Sequence, residues 1–119
     1  MLNQELTTLN YKTRSGKFPF EDWILGLRDR LARATIYARL NRLRNGNFGD
    51  CRTVGEGVWE LKIHLGPGYR VYFAREGLEI ILLLCGGTKR DQSSDIQKAK
   101  EYFRDYKERI KNEKTNKKL

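Results

Sequence analysis

With 119 residues, the chain has room for one domain of ordinary size and not for two. Hydrophobic residues make up 39% and aromatics 11%, enough for a core, while Ile80–Cys85, the longest apolar run, falls far short of a bilayer span. The 24 Lys+Arg against 15 Asp+Glu give a formal +9, which favours an acidic partner, and two Cys with one His are too few for a disulfide framework or a four-ligand metal site.

The start, Met1-Leu2-Asn3-Gln4-Glu5, has neither the basic nor the apolar region of a secretion leader, so a cytoplasmic protein is expected, with no membrane, metal or cofactor. Residues 6–12 (LTTLNYK) suggest a first strand, followed by a turn around Gly16. Pro19 stands where a helix can begin, because its missing N–H would lack a partner there anyway. Phe20, Trp23, Ile24, Leu27 and Leu31 recur at three- and four-residue spacing and form one face of this first helix. A second helix is predicted from about Leu31 to Asn45, with Ala32, Ile36, Leu40 and Leu43 as its buried stripe and Gly46 as its stop. The two read as a helical hairpin that must cover a sheet.

In 58–65 (VWELKIHL), Trp59, Leu61, Ile63 and Leu65 point one way and Glu60, Lys62 and His64 the other. After the turn Gly66-Pro67-Gly68, residues 69–75 (YRVYFAR) place Arg70 and Tyr72 opposite Tyr69, Val71 and Phe73. Residues 79–85 (EIILLLC) are apolar on both faces, as a central strand requires. Ser94 and Gln97 have capping-box spacing for a last helix, whose stripe is Ile96, Ala99, Phe103, Tyr106 and Ile110. The expected fold is therefore α+β, in the order β-α-α-β-β-β-α, with a domain over 1–106. The final run, 107–119, holds six basic and two acidic residues and reads as a frayed, solvated tail.

One face of the meander collects Glu60, Lys62 and His64 with Arg70 and Tyr72, and the following loop adds Thr88, Lys89 and Arg90. Cations there can neutralise a phosphodiester, and Tyr72 could stack on a base. The same set suits RNA cleavage without a metal: a base for the 2′-OH, charge stabilisers for the phosphorane, and an acid for the 5′-oxygen. Arg70 and Lys62 are the natural stabilisers, His64 or Glu60 the candidate base, and Lys89, Arg90 or Tyr72 the acid or support. Arg42 and Arg44, which otherwise read as a solvated helix face, are further candidates for RNA contact.

The runs Gly57-Val58-Trp59-Glu60-Leu61-Lys62-Ile63-His64, Gly66-Pro67-Gly68-Tyr69-Arg70-Val71-Tyr72-Phe73 and Leu82-Leu83-Leu84-Cys85-Gly86-Gly87-Thr88-Lys89 closely resemble the RelE/ParE toxin superfamily, in its HigB-like branch of addiction-module killer proteins. Arg42–Asp50 and Asp95–Tyr102 are also similar to that branch, so the resemblance spans Phe18 to Tyr106. It implies a microbial-RNase-like fold and a type II toxin–antitoxin pair, with cleavage of mRNA on the translating ribosome as the usual activity. The implied partner is a small helix-turn-helix antitoxin that neutralises the toxin and, in complex with it, represses their operon DNA. The family arginine falls on Arg70, a strand lysine on Lys62, and a basic position after the last strand on Lys89 or Arg90. Glu60 stands where well-known ribonucleases of the superfamily carry a second cation, and their C-terminal tyrosine has no clear counterpart in Ser94-Asp95-Ile96. Two other activities are compatible with these departures: inhibition of DNA gyrase, as in ParE-like members, and binding without catalysis.

Overall fold

A computed structural model describes residues 5–117; Met1–Gln4, on which the reading of the N-terminus partly rests, and Lys118-Leu119 of the tail lie outside the described residues. The elements are β1 (Thr7–Asn10), α1 (Pro19–Leu25), α2 (Arg30–Arg44), β2 (Cys51–Gly55), β3 (Val58–Ile63), β4 (Tyr69–Glu76), β5 (Ile80–Thr88), a 3-10 turn (Lys89–Asp91) and α3 (Gln92–Lys117). The α+β class holds. The order gains one strand, β2, which the sequence reading passed over because Cys51-Arg52-Thr53 shows no clean alternation.

The sheet runs β1-β5-β4-β3-β2, with β1 parallel to β5 and the other pairs antiparallel. It is covered on both faces. Leu61, Ile63, Tyr69, Val71 and Phe73 pack with Phe20 and Ile24 of α1 and Ile36, Leu40 and Leu43 of α2. Val58, Tyr72, Ala74, Leu82 and Leu84 pack with Ala99 and Phe103 of α3. Each large side chain so buried contributes about 1.5–3 kcal/mol of transfer free energy. The two-sided cover explains why β5 is apolar throughout. The face that collects Glu60, Lys62, Arg70 and Tyr72 is thus not open to solvent along its length: α3 lies across most of it.

Three boundaries differ from expectation. α1 stops at Leu25, and Leu31 belongs to the first turn of α2, where it is 65% exposed, so it is not part of the α1 stripe. Asp29 caps α2 by accepting a hydrogen bond from the Ala32 N–H at 3.1 Å. α3 begins at Gln92, and Ser94 does not cap it but donates its hydroxyl to the Asp91 carbonyl at 3.0 Å. At the far end α3 continues through Lys117, so residues 107–117 are helix rather than a frayed tail. Arg109 helps to hold that extension, pairing with Asp105 at 2.8 Å and reaching the Lys12 carbonyl. No helix among the described residues is long and apolar enough to cross a membrane.

The end of β5 depends on glycine. A Cβ on Gly86 would stand 2.2 Å from the Trp23 ring of α1, and one on Gly87 would stand 1.9 Å from the Asp95 carboxylate of α3. Their absence lets helices close on the strand from both faces. Gly86→Ala is expected to push Trp23 out of its contact with Tyr69 and to cost about 1–3 kcal/mol. A urea midpoint equal to that of the parent would refute this account of the packing.

A candidate phosphate-binding cleft at the end of the sheet

The β3–β4 pairing sets Lys62 directly opposite Arg70. Their side chains share the face that also carries α3, beyond the part that helix covers. Like charges directly opposed across an antiparallel pair destabilise it unless something anionic lies between or beside them. The connecting turn 64–68 bends over the same end, and the Lys89 N–H donates to the Gly68 carbonyl at 2.8 Å. That bond brings Lys89 beside the pair. The result is a cleft of about 450 Å³, within the range of ligand sites, lined by Lys62, His64, Arg70 and Lys89 together with Ile63 and residues 65–68.

Arg70 is the best-anchored of the four. Its side chain is 9% exposed, Nη1 donates to the Gly68 carbonyl at 3.0 Å, and Nε lies 3.6 Å from Glu60 Oε2. That Nε–H is buried and has no hydrogen-bond partner. Gly68 has φ +78° and makes room: a Cβ there would stand 3.2 Å from Nη1.

Behind Arg70 lies a closed polar cluster. Glu60 is fully buried and accepts from Arg52 Nε at 2.9 Å, the Tyr72 hydroxyl at 3.0 Å and Gln92 Nε2 at 2.8 Å. Burial alone would raise its carboxyl, but the hydrogen bonds from Arg52, Gln92 and Tyr72 outweigh that and hold it below its ordinary range. An ionised carboxylate saturated by donors and sealed from solvent is not a general base. Glu60 is therefore withdrawn from that role. Tyr72 is corrected in the same way. It is fully buried, so it offers no ring to a base, and burial with the adjacent Glu60 charge raises its hydroxyl far above the ordinary value.

His64, one residue past β3, is 75% exposed, and its Nε2 is paired with Asp50 just before β2. This hydrogen bond, helped by the His64, Lys62 and Arg39 charges, holds the Asp50 carboxyl below its ordinary range despite some desolvation. In the neutral tautomer that keeps its proton on Nε2 toward Asp50, Nδ1 would be the acceptor that a general base needs.

The remaining candidates do not join the cleft. Arg90 is exposed in the 3-10 turn and does not line it. Arg42 and Arg44 close α2 at the other end of the sheet, where the Arg44 carbonyl accepts from Leu6 N–H and β1 meets the start of β5. The length of β5 separates that corner from Lys89, roughly 26 Å at strand rise. Arg44 there pairs with Glu5 at 2.7 Å. Burial pushes the Cys51 thiol up to about 11 and that of Cys85 up to about 12, away from the thiolate form that a nucleophile needs.

No family model matches the chain. A Haemophilus influenzae protein described as uncharacterized is 46% identical to it over 81 residues, which cover 68% of this chain and 82% of that protein. The two belong to one family.

In this member of that family, the residues that the sequence reading missed are Asp50, Arg52 and Gln92. Asp50 and Arg52 depend on β2, whose register places them against Lys62 and Glu60. The turn signal Glu56-Gly57 between two short runs could have revealed this hairpin. Gln92 joins only through the placement of α3, which no local signal reports.

Proposed function

We propose that the chain is the toxin of a type II toxin–antitoxin system, acting in the cytoplasm as a ribosome-dependent, metal-independent mRNA endoribonuclease. The observation that supports this reading best is the direct opposition of Lys62 and Arg70 beside Lys89, three cations converging on a cleft of nucleotide dimensions. The resemblance of the same residues to RelE/ParE toxins supports it from the sequence side.

In this reading Arg70 and Lys62 hold the non-bridging oxygens of one phosphodiester. His64 Nδ1 takes the proton from the 2′-OH as the 2′-oxygen attacks phosphorus. The P–O5′ bond breaks, Lys89 delivers a proton to the departing 5′-oxygen, and the products are a 2′,3′-cyclic phosphate and a 5′-hydroxyl. Charge stabilisation by fixed donors is the dominant contribution, because it acts where charge develops and costs no reorganisation. Asp50 keeps the imidazole in the accepting tautomer. Partners under this proposal are the ribosome, mRNA and a helix-turn-helix antitoxin whose complex with the toxin binds operator DNA.

Inducing the chain in bacteria and mapping mRNA 5′ ends tests the proposal. Growth arrest with new 5′-hydroxyl ends in translated regions is expected. DNA breaks and an SOS response with intact mRNA would instead establish a gyrase inhibitor, and absence of toxicity would leave only a binding module.

A further inference from the structure

We infer that one flank of α3 is a second RNA-binding surface, continuous with the cleft and reading charge rather than sequence. Lys100, Arg104, Lys107, Lys111 and Lys114 recur at intervals of four, three, four and three residues. On an α-helix that spacing keeps all five within about 40° of one line, one cation per ~5 Å over ~21 Å. Glu101 and Glu108 lie roughly a quarter-turn to one side. All but the half-buried Lys100 are exposed.

The inner part of the stripe is partly neutralised, and the outer part is not. Lys100 and Arg104 share one carboxylate, Glu56 at the β2–β3 turn, at 3.9 and 3.8 Å. Lys107 Nζ is held 4.4 Å from the centre of the Phe103 ring. Among the described residues Lys107, Lys111 and Lys114 have no carboxylate within 4.0 Å. Three neighbouring lysines on one helix, with no carboxylate in contact, repel one another until a polyanion arrives.

Continuity with the cleft favours an RNA strand over any other polyanion. β2 begins beside Asp50, which pairs with Lys62 through backbone, and ends at Gly55, whose Cβ position would lie 3.3 Å from Lys100 Nζ. Exposed Arg52 stands between them, bonded to Glu60. Lys62, Arg52, Lys100, Arg104, Lys107, Lys111 and Lys114 thus form one track. Adding the strand and the helix, it measures roughly 38 Å. A strand held in the cleft by one phosphate can leave along β2 and follow α3, whereas a lipid headgroup or a short acidic peptide has no use for a track of this length.

The inference rests on RNA being the substrate, and its test reads binding rather than cleavage. The triple variant Lys107→Gln, Lys111→Gln, Lys114→Gln is compared with the parent full chain for affinity to a single-stranded RNA of about 20 nucleotides and to one of about 5, across a salt series. The long RNA is expected to lose about 2 from the slope of log affinity against log salt, as three lost phosphate contacts require, and the short RNA to lose nothing. An unchanged slope, or equal losses for both lengths, overturns the inference. So does a loss confined to phosphatidylserine vesicles. A second variant, Lys107→Glu, Lys111→Glu, Lys114→Glu, should weaken long-RNA binding further, and circular dichroism shows whether α3 is retained in each. If the chain cuts no RNA and the slope still falls, the stripe stands and the nuclease reading falls; if it cuts RNA and the slope is unchanged, the reverse holds.

Discussion

Arg70→Ala is expected to lower mRNA cleavage by about 10²–10³-fold, the scale seen when one preorganised donor to a developing oxyanion is lost. Arg70 earns this expectation through its anchoring. Its guanidinium is nine-tenths buried, tied to the Gly68 carbonyl and lying against Glu60, so it points its remaining N–H groups with little freedom to lose. Arg70→Lys keeps the charge but loses the planar fork, and should retain part of RNA binding while losing most of the rate. Cleavage is read by mapping 5′ ends after induction, and thermal unfolding of each variant shows that the fold is intact. If Arg70→Ala arrests growth and cuts mRNA as the parent does, the catalytic role of the cleft is lost.

The largest stability effect is expected at Glu60. Glu60→Ala removes the acceptor for Arg52, Tyr72 and Gln92 and the nearby counter-charge of Arg70, leaving the buried Tyr72 hydroxyl and the half-buried Gln92 amide unpaired. Breaking a buried pair in this way costs about 3–5 kcal/mol. Glu60→Gln keeps the shape and one acceptor and should cost less. The pH dependence separates charge from shape. The Glu60 carboxyl is held below its ordinary value in the folded chain, so the unfolded state binds its proton first as acid is added. Its contribution is therefore complete above an unfolded value near 4.5 and is lost as pH falls through the lower folded value. The stability gap between parent and Glu60→Gln, measured by urea unfolding, should be widest at neutral pH and shrink below pH ~4. A gap that stays constant from pH 7 to 3 would show that Glu60 acts through shape alone.

The cleft was legible in part. Alternation along 58–65 and 69–75 puts Lys62 and Arg70 on one face, and the turn Gly66-Pro67-Gly68 brings their strands together. The same alternation puts Glu60 and Tyr72 on that face and cannot tell them from Lys62, because period-2 patterning reports the face and not what covers it. Gln92 and the body of α3 cover Glu60 and Tyr72, whereas Lys62 and Arg70 reach past that cover. Hence two residues that look catalytic on the page belong to the support behind Arg70. Asp50 and Arg52 were lost with β2, a short strand whose polar positions carry no periodic signal of their own.

The cations of α3 teach the converse lesson. Their spacing was present in the sequence at 100, 104, 107, 111 and 114, and composition alone masked it. Helical order through Lys117 turns a charge excess into a line.

Taken by itself, the amino-acid sequence determined the α+β class, the interior apolar strand, the helical hairpin and the placing of Lys62 and Arg70 on one face of neighbouring strands joined by a glycine turn. These follow from periodicity and turn chemistry, which are local. Only the tertiary structure decided which charges meet solvent, which carboxylate is sealed, and where the cations continue beyond the cleft. Those outcomes depend on the placement of α3 against the sheet, and helix placement is set by contacts between residues far apart in the chain.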